Sequence, residues 1–164
     1  MLLSVNNLSV AFGGLQALNL SHFHLEDKEL RVVIGPNGAG KSTFMDILCG
    51  KTKPDTGEIL FNGKSTQGLT EVEIAELGIG RKFQKPTVFS SLTVFENMTL
   101  AARMKKDVFS SLFFKMSPAF KKRIIEVAER VGLSSVLHQQ AGALSHGQKQ
   151  WLEIAIAVLQ DPKL

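Results

Sequence analysis

The stretch Gly35-Pro36-Asn37-Gly38-Ala39-Gly40-Lys41-Ser42-Thr43 carries residue types and a spacing suited to one kind of chemistry, the holding of phosphate. It follows an apolar run, Leu30 to Ile34, and precedes a helical pattern from Thr43 to Cys49. A strand, a glycine-rich turn and the positive end of a helix are therefore expected in succession. The spacing G-x-x-x-x-G-K-S lets the backbone pass close to a ligand, with its amide groups turned inward around an anion. Lys41 can reach the outer phosphates of a nucleotide, and the Ser42 hydroxyl is placed to ligate Mg²⁺.

The elements that must position this loop are legible on both sides of it. Residues 2 to 10 and 16 to 25 alternate apolar and polar around Phe12-Gly13-Gly14, which predicts two antiparallel strands on a tight connection. Phe12 has two open readings, a ring stacked flat on a base or a packing residue. Residues 29 to 34 predict a third strand, apolar enough to be buried on both faces. Residues 57 to 62 predict another, closed by Asn62-Gly63.

Three pairs at the spacing of a capping box mark helix starts: Thr70 with Glu73, Thr93 with Glu96, and Ser145 with Gln148. The first helix should stop at Gly78, and the second should run to about Met104. Ile79 to Phe83 predicts a short strand broken by Gln84-Lys85-Pro86. Ser117-Pro118 begins a further helix that ends at Gly132. The last helix should run from His146 to about Gln160, nearly all apolar beyond Trp151. Residues 1–85 then form a mixed nucleotide-binding lobe, 86–150 a helical one, and 151–164 a return towards the first.

The 164 residues suffice for a real core. No apolar run approaches a membrane span and the N-terminus has no signal-peptide pattern, so a soluble, cytoplasmic segment is expected. Cys49, the single cysteine, is expected as a small buried residue. Asn7-Leu8-Ser9, Asn19-Leu20-Ser21 and Asn97-Met98-Thr99 match the glycosylation pattern, which has no meaning without secretion. The net charge of +4 would suit nucleic acid or anionic lipid. It is set aside here, on the expectation that an acidic segment follows residue 164. Lys105-Lys106 and Lys121-Lys122-Arg123 read as solvated helix faces, with lipid headgroups as the alternative.

A phosphate loop alone fits kinases, GTPases, helicases and transport ATPases. Leu144-Ser145-His146-Gly147-Gln148-Lys149-Gln150 narrows the choice: a serine capping a helix, with glycine and glutamine beside it, makes a second anion cradle or a plain helix cap. With Gln84 after a short strand and Phe12 upstream of the loop, the whole chain resembles the ATP-binding subunits of ABC transporters. The resemblance implies an α/β P-loop NTPase fold: a RecA-like core with an antiparallel β subdomain and an α-helical subdomain. It also implies two subunits that sandwich two ATP molecules head to tail.

Carried onto this chain, the resemblance puts Phe12 on adenine. Gly35, Pro36, Asn37, Gly38, Ala39, Gly40, Lys41, Ser42 and Thr43 would surround the phosphates, with Ser42 on Mg²⁺. Gln84 would sense the metal and the attacking water. Ser145, Gly147 and Gln148 would reach the γ-phosphate held by the partner chain. His146 stands where glycine is commonest, a departure tolerated if the side chain points away from phosphate. The implied partners are a second ATPase subunit and transmembrane permease subunits, with a solute-binding protein only indirectly involved and no nucleic acid. The implied place is peripheral, on the cytoplasmic face of the inner membrane.

Gly78-Ile79-Gly80-Arg81-Lys82-Phe83-Gln84, Leu92 to Asn97 and the insertion around Lys105 to Lys122 resemble the importer branch for branched-chain amino acids and urea. Gly50-Lys51-Thr52-Lys53-Pro54-Asp55 and Leu144 to Glu153 look most like its urea members. A non-transport ABC ATPase acting on DNA or ribosomes is the alternative; paired ATPase halves or long heptad runs would mark it, and neither is seen here. In the family, Gln160-Asp161-Pro162-Lys163-Leu164 would lead into an apolar strand, a metal-organising Asp and a water-activating Glu. The expectation is thus a C-terminally truncated chain that lacks the later strands and hydrolyses ATP barely, since such general acid–base groups contribute ~10²–10⁴ in rate. Residues 30 to 34 should also be short of parallel neighbours, so that the isolated piece folds poorly or borrows packing from another molecule.

Overall fold

The computed structural model describes residues 1–82, 88–101 and 116–164, and the chain divides into two units, Met1–Ile79 and Gly80–Leu164. In the first, the alternating runs form β1 (Leu3–Phe12) and β2 (Leu15–Leu25), joined by Gly13-Gly14. β3 (Thr56–Phe61) pairs with the other edge of β1, and Asn62-Gly63 turns the chain into the short β4 (Lys64–Ser65). The sheet is antiparallel throughout, in the order β2-β1-β3-β4.

Burial along β1 changes parity. Leu3 and Val5 are buried, then Leu8 and Val10. Strict alternation would put the second pair on the opposite face. Asn7 takes a positive φ of 48°, and the β1–β3 register shifts between Asn6 and Ser9. One extra residue at this bulge restores the apolar side chains to the core face. Gly57 of β3 lies against it with φ +103°, where a Cβ would stand 2.6 Å from Leu8 Cα and 2.7 Å from Asn7 O. Only glycine fits there.

Helix α1 (Lys41–Leu48) buries Phe44, Ile47 and Leu48, and Phe44 meets Phe23 of β2 edge to face with ring centroids 5.1 Å apart. Cys49 caps its C-terminus half-buried rather than buried, as expected of a residue at a helix end instead of on its inner face. Helix α2 (Glu71–Leu77) starts at the Thr70 cap and stops at Gly78.

The expected strand at residues 29 to 34 does not form. Leu30, Val32 and Ile34 are 91%, 72% and 87% exposed. A strand needs neighbours for its N–H and C=O groups. Among the described residues no strand pairs with this run, and the four-stranded sheet does not include it. Ile79 to Lys82 likewise form no strand; Gly80 N–H instead donates to Leu164 O at 2.6 Å.

The second unit packs helices α3 (Val94–Leu100), α4 (Pro118–Arg130) and α5 (His146–Leu159). Ile124, Val127 and Ala128 of α4 and Leu152, Ala155 and Leu159 of α5 recur at helical spacing. They meet Val94 and Met98 of α3 in one core. Ser117 caps α4 with Pro118 at its first position, and Gly132 follows its end with φ 71°. Helix α3 is described only to Leu100 and Ala101, so the expected extension to Met104 and the Lys105-Lys106 pair lie outside the described residues.

Asn97, which the sequence places in a glycosylation pattern, is 1% exposed. Its side chain accepts from Phe89 N–H at 2.9 Å and donates to the carbonyls of Phe89 (3.0 Å) and Thr93 (2.9 Å). It closes the turn before α3 from the inside, and its burial rules out a sugar acceptor in the folded chain.

All three capping boxes form. Thr70 N–H donates to Glu73 Oε2 at 2.7 Å and Thr93 N–H to Glu96 Oε2 at 2.7 Å. These backbone bonds, and then the threonine hydroxyls, hold both carboxyls below their ordinary value of 4.5. A lowered folded-state value means that the contribution to stability is present above 4.5 and is lost as pH falls through the lower value. Gln at that position can still accept the bond, as Gln148 does. Glu96→Gln should therefore flatten the fall in thermal midpoint as pH drops below 4.5. An unchanged slope in Glu96→Gln would show that the cap does not titrate.

Candidate phosphate-binding site

The loop Gly35–Gly40 runs into α1 without a side-chain cap, and α1 has no acidic residue in its first turn. Its first N–H groups thus have neither an intrahelical partner nor a carboxylate competing for them, which leaves a positive helix end open to an anion. Gly38 and Gly40 take φ of 85° and 79°. At Gly40 sterics add to conformation, because a Cβ would stand 2.6 Å from Ala17 O and 3.2 Å from Leu18 Cδ1. The loop is therefore seated on β2. Ala39 N–H closes it internally on Pro36 O at 3.2 Å.

Lys41 Nζ donates to Gly35 O and Pro36 O, both at 2.6 Å. The ammonium is folded across the mouth of its own loop, occupying carbonyl oxygens that a phosphate would replace as its counter-charge. Ser42 is exposed and Thr43 half-buried beside it. The run before the loop is anchored at one end, where Arg31 bonds Glu29 and its guanidinium lies 5.7 Å from the Phe23 ring centroid. Glu29 is held below the usual carboxylate range by the Glu26 N–H and then by Arg31.

Phe12 ends β1 and is 54% exposed, so it is not a core residue. It pairs with Leu15, while Ala17 and Leu18 two to three residues on contact Gly40. The hairpin that carries the ring is thus the one that seats the loop. These groups fit a nucleoside phosphate: uncapped amides, one ammonium, one hydroxyl and an exposed aromatic. Among the described residues no group of three or more His, Cys, Asp or Glu gathers as a metal cage. Mg²⁺ that arrives on phosphate oxygens needs only one or two protein ligands, and Ser42 would be one.

The second predicted cradle lies in the other unit. Ser145 Oγ accepts from Gln148 N–H at 3.2 Å, and Gln148 Oε1 accepts from Ser145 N–H at 2.9 Å. The plain capping reading is therefore realised. It does not exhaust the turn, because the N–H groups of His146 and Gly147 are left at an exposed helix start. A Cβ on Gly147 would meet nothing within 4 Å. The chain's own packing does not require glycine there, which leaves room for a group from outside it. Gln84 lies outside the described residues. His22, His24, His138 and His146 are all exposed.

The family model for ABC transporters matches residues 18–164. The chain is 37% identical over 172 residues to the high-affinity branched-chain amino acid transport ATP-binding protein LivG of Escherichia coli, covering 99% of this chain and 67% of that protein. It is 35% identical over 171 residues to BraF of Pseudomonas aeruginosa, a protein of the same description, again covering 99% and 67%. An ATP-binding cassette of an ABC transporter, solved in its ADP conformation, superposes with a TM-score of 0.81 at 30% identity, covering 98% of this chain and 65% of that one. The chain spans about two thirds of the length of these relatives. The fold is thus the P-loop ABC ATPase fold, with its antiparallel sheet and helices. The chain belongs to the ABC transporter family, as an ATP-binding domain.

Proposed function

We propose that the chain is the ATP-binding part of an import system, coupling the binding and hydrolysis of ATP to solute uptake across the inner membrane. The uncapped start of α1, with Lys41 across the loop mouth, carries this reading. In it, Phe12 stacks on adenine, and Gly35 to Thr43 hold the phosphates with Lys41 on the β and γ groups. Ser42 and Gln84 meet Mg²⁺. Ser145, Gly147 and Gln148 close on the nucleotide of a second subunit. The organisation follows: a nucleotide-binding lobe over 1–85, a helical lobe over 86–150 and a return segment over 151–164. Closure of the ATPase dimer moves the helical lobes, docked on permease subunits at the cytoplasmic face; binding supplies the motion and hydrolysis resets it. Among the described residues no helix is long and apolar enough to cross a membrane, which fits a peripheral subunit.

For the solute we propose urea, on the stretches Gly50 to Asp55 and Leu144 to Glu153. Branched-chain amino acids are the second reading, supported by the names that LivG and BraF carry. Solute never touches an ATP-binding subunit, so identity in the mid-thirties leaves either open. Uptake of labelled urea and labelled leucine by cells lacking the gene separates the two. Loss of urea uptake alone, restored by the wild-type gene and not by Lys41→Ala, is expected. Loss of leucine uptake alone would select the second reading, and unchanged uptake of both would overturn each.

A further inference from the structure

We propose that His22 and His24 of β2 chelate a divalent transition-metal ion of the zinc class, with Asn6 of β1 as the positioning residue that orients His22. The site stands on the outer face of the sheet and is independent of the nucleotide chemistry. Residues two apart on a strand share one face. Phe23, between the two histidines, turns the other way and meets Phe44 of α1, which sends both imidazoles outward. His22 and His24 are exposed, with ring centroids 5.4 Å apart and planes tilted by 34°. Two imidazoles on one tetrahedral zinc, each bonded through nitrogen at about 2.0–2.1 Å, hold their centroids about 5 Å apart. The pair is already close to chelating spacing.

Asn6 prepares one of the two rings. It pairs with His22 across β1 and β2, and His22 Nδ1 lies 2.8 Å from Asn6 Oδ1, while Asn6 Nδ2 donates to Ser4 Oγ at 3.5 Å. A carbonyl oxygen only accepts, so the imidazole carries its proton on Nδ1 and keeps the lone pair on Nε2. Metal-ligating histidines make this second bond almost always, and it fixes their tautomer and raises their basicity. Imidazole suits zinc, copper or nickel, whereas Mg²⁺ takes oxygen ligands. The ion is therefore distinct from the one that accompanies ATP. Among the described residues no third His, Cys, Asp or Glu joins the pair, so water completes the coordination.

The test uses the full-length protein without nucleotide, titrated with Zn²⁺ alone against a competing zinc indicator, on folded molecules well below the thermal midpoint. Zinc held elsewhere in the chain binds wild type and variants alike, so the difference between them counts this site. Wild type should bind one zinc ion more than the double variant His22→Gln, His24→Gln, and each single variant should lose that ion. Asn6→Leu should weaken its binding about ten- to hundredfold, and Asn6→Asp, which keeps the acceptor, should bind it within about threefold of wild type or more tightly. Lys41→Ala should hold the ion as wild type does. Equal zinc binding by wild type and the double variant would overturn the inference. Asn6→Leu that binds like wild type would overturn the role given to Asn6. Loss of the ion in Lys41→Ala would place it in the phosphate loop instead.

Discussion

Lys41→Ala lowers affinity for ATP about ten- to hundredfold, through loss of a charge-assisted bond of ~1.5–3 kcal/mol. Little else should change. Lys41 opens α1 on an exposed loop, and its present partners are the carbonyls of Gly35 and Pro36. Those oxygens can be taken over by water, and alanine is a better helix former than lysine. The thermal midpoint without nucleotide should thus stay near that of wild type, while the rise on adding ATP shrinks. Nucleotide titration of the full-length protein gives the affinity directly. Unchanged ATP binding by Lys41→Ala would mean that the loop does not hold the outer phosphates.

Ser145→Arg should separate binding from closure. One subunit should bind ATP almost as before, because Ser145 caps α5 in the second unit and makes no part of the loop. Dimer closure should weaken on the order of a hundredfold, as expected when a long cation is placed at the centre of an interface. The lost cap itself costs about 0.5–2 kcal/mol of stability, which Ser145→Thr avoids by keeping a hydroxyl acceptor. Ser145→Thr should therefore close nearly as wild type, and Ser145→Arg should not. Equal loss of ATP binding and closure in Ser145→Arg would show that this turn has been given the wrong role.

What could be read in advance was what is local. The pairs Thr70 with Glu73, Thr93 with Glu96, and Ser145 with Gln148 act across a single turn, so two letters three positions apart suffice to define each. The β1–β2 hairpin and the Ser117-Pro118 start of α4 are legible for the same reason. The run from Leu30 to Ile34 shows where that stops. Its apolar letters promise a buried strand, but burial depends on which neighbours are present, and the run itself does not encode them. The bulge at Asn7 becomes visible only once Gly57 of another strand is set against it. Asn97 carries a pattern that means one thing in a secreted loop and another in a helical core. The ion pair between Lys82 and Glu153 spans 71 positions along the chain and leaves no local signal.

The residue types of the candidate loop could be read in advance because the phosphate-loop spacing is contiguous; the seating of Gly40 on Ala17 and Leu18 of β2 could not. The Ser145 turn was half legible: its cap follows from Ser145 and Gln148, and the open space above Gly147 does not.

The central claim is that each ATP is held between the loop of one subunit and the Ser145 turn of the other. Mixing full-length Lys41→Ala chains with full-length Ser145→Arg chains tests it most directly, with trapped nucleotide counted per dimer. Alone, each variant spoils both sites of its own dimer. In the mixed dimer the two defects fall together on one site, and the other is built from an intact loop and an intact turn. Recovery of one trapped ATP analogue per mixed dimer is the expected result. A mixture that traps no more than the average of its two components would contradict the shared site.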